Sequence, residues 1–468
     1  MSGVIIIGAG ICGLGTALLL ARDGHDVTLL ERDGAEVPET QQDAWDRWAR
    51  RGVAQFQQAH VFLPGFRQLL EQELPDVLTE FVQAGASRLS YLELAPFDEM
   101  GEFAIDAELW TYNVRRPIGE WIFWKIARRQ PRLHVRRGVR VESLIKGASV
   151  GPQTPHVVGV RTDSGEELRA DLVIDASGRG SRAAAWLDTV GARPFYEEKA
   201  DSGFTYFTRY YTGEQPETLA PFAVLLNTFG ILTLPYDTDT WSITITATSD
   251  DAAMKSLRDP TRLERVIRSC PLHAHWLDGE PISDVLAMSG VVDRYRRFFD
   301  DNTPVVTGFV AVADALACTN PNAGRGMAVG MRHAASLRDT LRDATQDPLD
   351  FVMRFDEATE RTVALWYRAQ IAADRWWYQA VEARRQGLAS PRTEDSFRPI
   401  ARFLTTARSS PELFRANLEY TTTITPVQEI IARPGMSDRI SEARRQLRAE
   451  PPPATPGPDY AQLLDLVR

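Results

Sequence analysis

The chain has 468 residues, of which 44% are hydrophobic and 25% are charged, and these values are typical of a globular protein of two or three domains. Its net charge of −10 argues against nucleic acid or an anionic membrane as a main partner. Three scattered cysteines and the absence of metal-ligand spacing exclude a disulfide framework and predict no bound metal. Because no run of about 20 apolar residues predicts a membrane span, we expect a cytoplasmic protein without a targeting segment.

The N-terminal residues predict a strand, a glycine turn, a helix and a second strand. After the apolar residues 4–7 the spacing is Gly-x-Gly-x-x-Gly, followed by a helical pattern over Leu14–Ala21 and a strand over Val27–Leu30 that ends at Glu31. The three glycines are Gly8, Gly10 and Gly13. In such a unit the glycines bring a pyrophosphate close to a helix N-terminus, and an acid about 20 residues further on binds ribose hydroxyls. The pattern predicts a dinucleotide site, with an ordinary glycine-rich turn as the alternative.

The middle of the chain predicts a helix over 117–130, then strands near Leu133–Val135 and Val139–Leu144. A hairpin is predicted from Val157–Arg161 and Leu168–Ile174, on either side of a turn that contains Asp-Ser-Gly.

Aromatic and β-rich segments in the second half predict a separate, mainly antiparallel sheet. These segments are Phe204–Tyr211, Phe222–Leu226, Gly230–Leu234 and Trp241–Thr248. A buried strand is predicted over Val305–Val312, and residues 348–387 have a helical, aromatic pattern. The proline-rich residues 450–458 predict a linker or a disordered tail.

Two further segments look like parts of a nucleotide site. In Asp171–Arg182 an apolar strand runs into Asp175 and a glycine turn, and Ala313–Met327 combines Asp314 with a glycine-rich helix start. Together with the N-terminal turn, these segments resemble the three fingerprints of FAD monooxygenases with the p-hydroxybenzoate hydroxylase fold. The resemblance covers roughly residues 1–345.

Within that family, further sequence segments are most similar to the bacterial natural-product hydroxylases and epoxidases. The residues that carry this similarity are Arg51–Gln55 followed by His60, and the run that starts at Asp293–Arg297. The family's middle motif has Gly-Asp where this chain has Ala313-Asp314. The extra methyl group is accommodated if the backbone angles at Ala313 suit an L-residue.

The resemblance implies an α/β fold with a Rossmann-like FAD-binding domain, an α+β substrate domain with an antiparallel sheet, and a C-terminal helical region. The implied boundaries are 1–75, 105–195 and 290–345 for the discontinuous FAD-binding domain, 76–104 and 196–289 for the substrate domain, and 346–468 for the helical region with its proline-rich tail.

The resemblance also assigns FAD-binding roles. The glycine turn would hold the pyrophosphate, Glu31 the adenosine ribose, and the backbone of Val141 the adenine. Asp314 would bind the ribityl chain, and N–H groups near Gly326 would face the flavin N1–C2=O edge, where a helix N-terminus stabilises the anionic reduced flavin. The implied FAD-binding residues are Gly8, Gly10, Ile11, Cys12, Gly13, Glu31, Arg32, Arg51, Gln55, Arg116, Val141, Asp175, Gly178, Asp314, Pro321, Gly324, Gly326 and Met327.

Several of these assignments have plainer alternatives. Arg51, Arg115 and Arg116 are otherwise surface ion-pair residues, and of the adjacent pair we expect only Arg116 to reach the flavin. His60 is interpreted as a hydrogen-bonded structural histidine rather than a catalytic base, so no catalytic residue is assigned.

The aromatic residues suggest a substrate cavity without locating it. Of the strand residues Phe204, Tyr206, Phe207 and Tyr210, Phe207 lies on the opposite face from the other three, so that one face would be core and the other would line the cavity. The series Trp366, Trp376 and Trp377 predicts core or interface packing, with a lid over an apolar substrate as the alternative.

The resemblance implies a monooxygenase in secondary metabolism with non-covalent FAD. Reduced FAD would form a C4a-hydroperoxyflavin and transfer one oxygen atom to an apolar, aromatic or olefinic small molecule, by hydroxylation or epoxidation. A halogenase would share the fold, but its Trp-x-Trp-x-Ile-Pro signature is absent. A reductase of isoprenoid double bonds and a non-catalytic FAD-binding partner protein remain alternatives.

The source of electrons is open at the sequence level. No second dinucleotide fingerprint occurs in the chain, so we expect either NAD(P)H binding without a Rossmann domain or reduced flavin from a separate flavin reductase.

Overall fold

The computed structural model describes residues 3–93, 95–97, 99–104, 108–150, 154–343, 347–388, 394–395, 397–449 and 455–468. Its strands are β1 (Gly3–Ile7), β2 (Asp26–Glu31), β3 (Ser87–Ser90), β4 (Trp110–Asn113), β5 (Leu133–Arg137), β6 (Val141–Lys146), β7 (Val157–Thr162), β8 (Glu167–Arg169), β9 (Leu172–Asp175), β10 (Tyr196–Asp201), β11 (Phe204–Thr212), β12 (Ala223–Leu225), β13 (Gly230–Pro235), β14 (Thr240–Thr248), β15 (Glu280–Pro281), β16 (Leu286–Met288), β17 (Val292–Arg297), β18 (Phe299–Asp300), β19 (Thr303–Pro304), β20 (Phe309–Ala311) and β21 (Ala317–Cys318).

Its helices are α1 (Ile11–Arg22), α2 (Gln41–Asp46), α3 (Pro64–Glu73), α4 (Pro75–Gln83), α5 (Arg116–Ala127), α6 (Ala183–Thr189), α7 (Pro260–Arg268), α8 (Gly326–Asp343), α9 (Pro348–Thr359), α10 (Leu365–Arg385), α11 (Arg398–Thr406), α12 (Pro411–Thr421), α13 (Val427–Ile431), α14 (Met436–Ala449) and α15 (Tyr460–Leu466). A π-helical turn, Glu360–Ala364, joins α9 to α10.

A five-stranded parallel sheet in the order β20-β9-β1-β2-β5 forms the first layer of the fold. Alternate residues of β1 enter two different cores: Val4 and Ile6 pack with α1, α5 and α8, whereas Ile5 and Ile7 pack with Trp186 on the other face. A parallel sheet that is covered on both faces needs apolar residues at every position. This requirement explains the uninterrupted apolar run that precedes Gly8.

The predicted antiparallel sheet is also present, in the order β12-β13-β14-β11-β15, with β16 also paired to β11. Strands β11 and β14 pair over their full lengths, from Phe204 opposite Thr248 to Thr212 opposite Thr240. One face packs against α7 and α15, and the other contacts the first core and α10. Every residue of β14 is buried, so the sheet is covered on both faces at this central strand.

Two predicted strands differ from the observed ones. Strands β7 and β8 form the predicted hairpin, but Leu172–Asp175 leaves it as β9 and enters the parallel sheet between β1 and β20. The strand predicted over Val305–Val312 is reduced to β20, because Gly308 has a left-handed φ of +71° and lies against the Val157 carbonyl oxygen.

The C-terminal helices form two groups. Helices α10 to α14 share a core around Trp366 and Phe403, whereas α15 packs through Leu463 on α7, beside the antiparallel sheet. Residues 450–454 of the predicted proline-rich linker lie outside the described residues. Within the described ranges, none of the helices is both long and apolar enough to cross a membrane.

Candidate functional site

A cavity of about 580 Å³ opens at the carboxyl edge of the parallel sheet. The glycine turn between β1 and α1, the end of β2, the start of β6 and the N-terminus of α8 line one part of it. Strands β12 and β13 and helix α12 line the rest. Ligands of open α/β sheets bind at this edge, because the loops that leave the strands diverge there.

The three glycines of the turn are required for different reasons. Gly8 has a φ of +101°, and a Cβ there would lie 2.7 Å from the Ala176 carbonyl oxygen. A Cβ on Gly13 would overlap the Gly8 carbonyl oxygen, so this glycine lets α1 pack against the turn. A Cβ on Gly10, by contrast, would meet no protein atom within 4 Å and would project into open space. The fold therefore needs Gly8 and Gly13, whereas Gly10 leaves room that a ligand can use.

Two helix N-termini face the cavity. Helix α1 starts at Ile11 after the N-cap residue Gly10, which provides no side-chain cap, and α8 starts at Gly326; neither helix has an acidic residue in its first turn. The uncapped N–H groups and the positive end of each helix dipole favour a bound anion. The arrangement fits a cofactor that places a pyrophosphate at one helix N-terminus and a group of hydrogen-bond acceptors at the other.

Glu31 ends β2 at the wall of the cavity and is 5% exposed. Its Oε2 accepts hydrogen bonds from the Ala9 N–H at 2.9 Å and from Arg50 Nη2 at 2.8 Å, and its Oε1 accepts one from the Asp33 N–H at 2.8 Å. These bonds fix the carboxylate at the end of the strand, where the dinucleotide pattern predicts it.

A buried ion cluster supports the floor of the site. Glu120, which is fully buried on α5, lies 2.6 Å from Arg50 Nη1 and accepts from Arg116 Nη2 at 3.0 Å. Because Arg50 also bonds Glu31, one continuous network joins the end of β2 to α5. Arg50 and Glu120 were missed by the sequence analysis; the spacing of Arg116 and Glu120, four residues apart on a helix, was the available signal.

Of the arginines considered in the sequence analysis, some line the cavity in the structure and others do not. Arg51 is exposed and does not line the cavity, where Arg50, its neighbour in the sequence, is found instead. Arg116 lines the cavity, whereas Arg115 points away from it and binds Asp237 at 2.7 Å. The expectation for Arg51 is therefore corrected, because the chain at this position turns the side chain of Arg50 inward.

Asp175 is a second correction. Its carboxylate is fully buried outside the cavity wall, where Oδ1 accepts from the Ser177 N–H at 2.9 Å and Oδ2 from the Ser181 hydroxyl at 2.6 Å. These bonds hold the turn that contains Gly178, which has a φ of +70° and does line the cavity. Asp175 shapes the loop rather than contacting a ligand.

The backbone angles at Ala313 do not suit an L-residue, contrary to the condition under which its extra methyl group would be accommodated. Its φ of +52° lies in the left-handed region, which costs an L-residue about 1–2 kcal/mol. Its N–H donates to His333 Nδ1 at 3.3 Å, and burial lowers the pKa of His333 to about 3, so that this nitrogen stays an acceptor. The hydrogen bond holds the strained turn and directs Asp314 toward the cavity.

Asp314 lines the cavity and makes no hydrogen bond within the described ranges. Burial raises the pKa of its carboxyl, while Arg179 and Arg116 act in the opposite direction. A carboxylate held without a partner at a cavity wall is suited to accept a hydrogen bond from a ligand hydroxyl.

His60 also lines the cavity but is unsuited to proton transfer at neutral pH. Its Nδ1 lies 2.8 Å from the Gln58 carbonyl oxygen, and burial together with Arg116 lowers its pKa to about 3. A base with so low a pKa is a weak catalyst near pH 7. The structure favours the structural role expected for this histidine.

None of the four strand aromatics proposed for the substrate lines the cavity. Phe204 stacks on Trp377 with ring centroids 4.5 Å apart, and the Tyr206 hydroxyl bonds Asn320. Phe207 lies in the core beneath α7, and the Tyr210 hydroxyl donates to the Gln58 carbonyl oxygen at 3.1 Å. Since both faces of the sheet are buried, neither face of β11 is free to line a cavity.

The cavity has a different apolar wall, which we call the apolar chamber. Its residues are Tyr91, Phe222, Leu232, Leu234, Phe414 and Leu418. Tyr91 packs edge-on against Phe222 at 5.6 Å and also contacts the cluster that contains Phe414 and Leu418. The predicted tryptophans pack elsewhere: Trp366 stacks on Tyr420, and Trp376 and Trp377 belong to the cluster on β11. Helix α12, rather than these tryptophans, covers the chamber.

The other predicted FAD-binding residues all line the cavity. They are Ile11, Cys12, Arg32, Gln55, Val141, Pro321, Gly324, Gly326 and Met327. Burial raises the pKa of the Cys12 thiol to about 12, so this cysteine is a small packing residue in the turn. Among the described residues, no group of three or more potential ligands could hold a metal ion.

The parallel sheet, the glycine turn and the helix N-termini define a Rossmann-like FAD-binding fold. Residues 3–144 match the profile of the FAD dependent oxidoreductase family, DAO. Over 424 residues, 83% of this chain and 86% of that protein, the sequence is 26% identical to Protein Rv3254 of Mycobacterium tuberculosis.

Solved structures share the fold over most of the chain. PqsL, a probable FAD-dependent monooxygenase from Pseudomonas aeruginosa, is similar with a TM-score of 0.58 and 17% identity, over 82% of this chain and 96% of that one. OxyS anhydrotetracycline hydroxylase from Streptomyces rimosus gives a TM-score of 0.56 and 17% identity, over 90% of this chain and 76% of that one. The predicted fold class and the resemblance to FAD-dependent oxidoreductases of the p-hydroxybenzoate hydroxylase type are confirmed.

Proposed function

We propose that this protein is an FAD-dependent monooxygenase that transfers one oxygen atom from O₂ to an apolar, aromatic or olefinic small molecule. The observation that carries the proposal is a single cavity in which a dinucleotide-type glycine turn, the N-terminus of α8 and the apolar chamber meet. PqsL and OxyS, which share the fold, are described as a probable monooxygenase and a hydroxylase. We further propose that the enzyme acts in secondary metabolism and is located in the cytoplasm.

In this proposal FAD lies along the cavity without a covalent bond. The turn at Gly10 and the dipole of α1 hold the pyrophosphate, and Glu31 and Val141 hold the adenosine. Asp314 accepts a hydrogen bond from the ribityl chain. When bound, FAD supplies the redox chemistry with O₂, and the N-terminus of α8 near Gly326 stabilises negative charge on the reduced ring.

The apolar chamber has two tasks. Its side chains would place the substrate and exclude water from the site of oxygen transfer. No acid–base residue is assigned. Electrons come from NAD(P)H or from a separate flavin reductase, and stopped-flow reduction by NADH and by NADPH distinguishes the two sources.

The proposal is tested by the origin of the product's oxygen. We expect the reduced holoenzyme, with a substrate found by screening apolar aromatic compounds, to give a product heavier by one oxygen atom. Mass spectrometry after reaction under ¹⁸O₂ should show the label, and reaction in H₂¹⁸O should not. A chelator should leave the rate unchanged. A product that has gained two hydrogen atoms and no oxygen would instead establish a double-bond reductase.

Replacing Asp314 by Ala is expected to weaken FAD binding by about 1–3 kcal/mol, the range for a lost hydrogen bond to a charged group. The same change should raise the stability of the flavin-free protein, because it removes a partly buried carboxylate that has no hydrogen-bond partner among the described residues and whose pKa is raised by burial. Fluorescence titration with FAD and thermal unfolding measure the two effects. The exposed Asp278→Ala serves as the control, and an unchanged dissociation constant for Asp314→Ala would remove this residue from the site.

A further inference from the structure

A buried carboxyl of α10 lies outside the cavity wall. Asp374 is 5% exposed, and its Oδ1 accepts a hydrogen bond from Gln370 Nε2 at 2.9 Å, one helical turn earlier. Its Oδ2 is buried without a hydrogen-bond partner, and no cation among the described residues forms an ion pair with it. Burying a carboxyl away from a paired cation is unfavourable unless the group stays neutral or is well hydrogen-bonded. The contacts around Asp374 therefore need an explanation.

Gln370 connects this carboxyl to the start of α8. Its Oε1 accepts a hydrogen bond from Arg325 Nη1 at 2.9 Å, while its Nε2 donates to Asp374. Arg325 immediately precedes α8 and lines the cavity. Its guanidinium also lies over the Tyr420 ring, 4.1 Å from the centroid, and donates to the Tyr420 hydroxyl at 3.1 Å. Because an amide has one donor end and one acceptor end, Asp374 fixes which end of Gln370 faces Arg325.

Asn320 connects the same carboxyl to the turn before α8. Residues 319 and 321–324 line the cavity, whereas Asn320 does not line it and is 2% exposed. The Asn320 backbone N–H donates to Asp293 Oδ1 at 2.6 Å, and its side-chain oxygen accepts from the Tyr206 hydroxyl. Its amide nitrogen is buried without a hydrogen-bond partner and lies close enough to Asp374 to favour the ionised form of that carboxyl. Asn320 is therefore the residue through which β11, β17 and α10 hold the turn.

The two carboxyls beside Asn320 differ from ordinary surface acids. Burial raises the pKa of Asp374 to about 7, and the charge of Asp293 acts in the same direction. Burial also raises the pKa of Asp293 to about 6. The other polar and charged groups that act on these two carboxyls are Gln370 and Arg375 on α10, Asn320 and Arg325 before α8, Tyr206 on β11 and Asp201 on β10. As the pH rises through neutrality, a second negative charge arises in this buried cluster.

From these contacts we infer that Asp374 is a positioning residue for the α8 end of the cavity, because its carboxyl joins both segments that border that end. It holds Arg325 through Gln370, and it holds the turn of residues 319–324 through Asn320. Asp374 itself touches neither cofactor nor substrate. The neutral carboxyl supports this arrangement, whereas its ionisation places two repelling charges on either side of Asn320 and loosens the turn. The inference rests on the proposed function in taking this end of the cavity as the place of the flavin ring.

The first test is the affinity for FAD at about pH 6, measured by fluorescence titration. We expect Asp374→Leu to bind FAD about tenfold more weakly than the wild type, because Gln370 and Asn320 lose the group that orients them. Asp374→Asn should stay within about twofold of the wild type, since it keeps the size of the side chain and an acceptor oxygen for Gln370. The matched control is Gln379→Leu, an exposed position of the same helix outside the cavity wall, which should bind FAD like the wild type.

The second test is a pH profile, to which a side chain with a purely packing role would not respond. We expect the FAD dissociation constants of the wild type and Asp374→Asn to agree at about pH 6, and the wild-type value to be at least about threefold higher at about pH 8.5. The flavin-free proteins should show a matching trend. Because the pKa of Asp374 is raised in the folded state from 3.8 to about 7, the wild type should lose melting temperature relative to Asp374→Asn as the pH rises toward about 7, and the difference should then level off.

Three results would each overturn the inference: wild-type affinity for FAD in Asp374→Leu, an Asp374→Asn variant as impaired as Asp374→Leu, or a ratio of dissociation constants that is the same at both pH values. If Asp374→Leu does not fold, the pH profile of Asp374→Asn decides alone.

The outcome is separable from that of the proposed function, because neither measurement requires oxygen transfer. A protein that shows these dependences on Asp374 but incorporates no ¹⁸O retains the positioning role and loses the monooxygenase assignment. A protein that incorporates ¹⁸O but binds FAD equally well in all the variants retains the reaction and loses the role of Asp374.

Discussion

Replacing Gly10 by Val is expected to abolish FAD binding while the chain keeps its fold. A side chain at this position meets no protein atom within 4 Å, and the backbone angles at Gly10, a φ of −76° and a ψ of 176°, suit any L-residue. The branched side chain would instead occupy the space over the N-terminus of α1 where a pyrophosphate would lie. We expect at least about a hundredfold weaker binding, which is about 3 kcal/mol.

Flavin content after reconstitution and fluorescence titration measure the loss, and far-UV circular dichroism with thermal unfolding measures the fold. Gly34→Val is the matched control, since Gly34 lies in the loop after β2, outside the cavity wall, and a Cβ there makes an ordinary 3.4 Å contact with Gly138. The control should bind FAD normally. Normal flavin occupancy in Gly10→Val would show that the turn is only structural.

The second large effect is expected at Glu120. Its carboxylate pairs with two arginines in a buried site, so Glu120→Gln leaves Arg116 without an ion-pair partner among the described residues, whereas Arg50 keeps Glu31. Removing one partner of a buried ion pair typically costs about 3–5 kcal/mol. We expect the free energy of unfolding of the flavin-free protein to fall by that amount.

Urea unfolding followed by tryptophan fluorescence provides the measurement. The comparison is Glu357→Gln, which removes an ion pair with Arg361 in which both side chains are about 70% exposed, and exposed pairs contribute less than about 1 kcal/mol. Stabilities of the two variants that agree within about 1 kcal/mol would show that the cluster does not support the fold.

Local patterns in the sequence were sufficient for the parts of the site that lie within one short segment. The glycine spacing, the strand before it and the acid at Glu31 occur within 31 residues, and their geometry is dictated by steric limits on a strand–turn–helix unit. The same holds for Gly178 and Gly324, both of which are left-handed glycines that line the cavity. Glycines at positive φ can be recognised in a sequence because few other residues adopt those backbone angles without strain.

Side-chain direction was harder to predict. Arg50 and Arg51 are chemically identical and adjacent, and only the packed chain turns the first toward Glu31 and Glu120 and the second toward solvent. Asp175 lies at the end of a strand, as a ligand-binding acid would. Its carboxylate nevertheless accepts hydrogen bonds from two hydroxyl groups of the turn that follows it. A sequence shows which groups are available, but competition among hydrogen-bond partners is decided in three dimensions.

The sequence on its own established the class of cofactor site and the type of fold, because both depend on short-range constraints: backbone angles that favour glycine, and apolar runs that suit a covered parallel sheet. The location of the apolar chamber depended on tertiary structure. The aromatic strand β11 is covered on both faces, and the chamber is built instead from Tyr91, Phe222, strand β13 and the distant helix α12. Which apolar surface remains open depends on how elements nearly 200 residues apart pack together, and no local pattern encodes that choice.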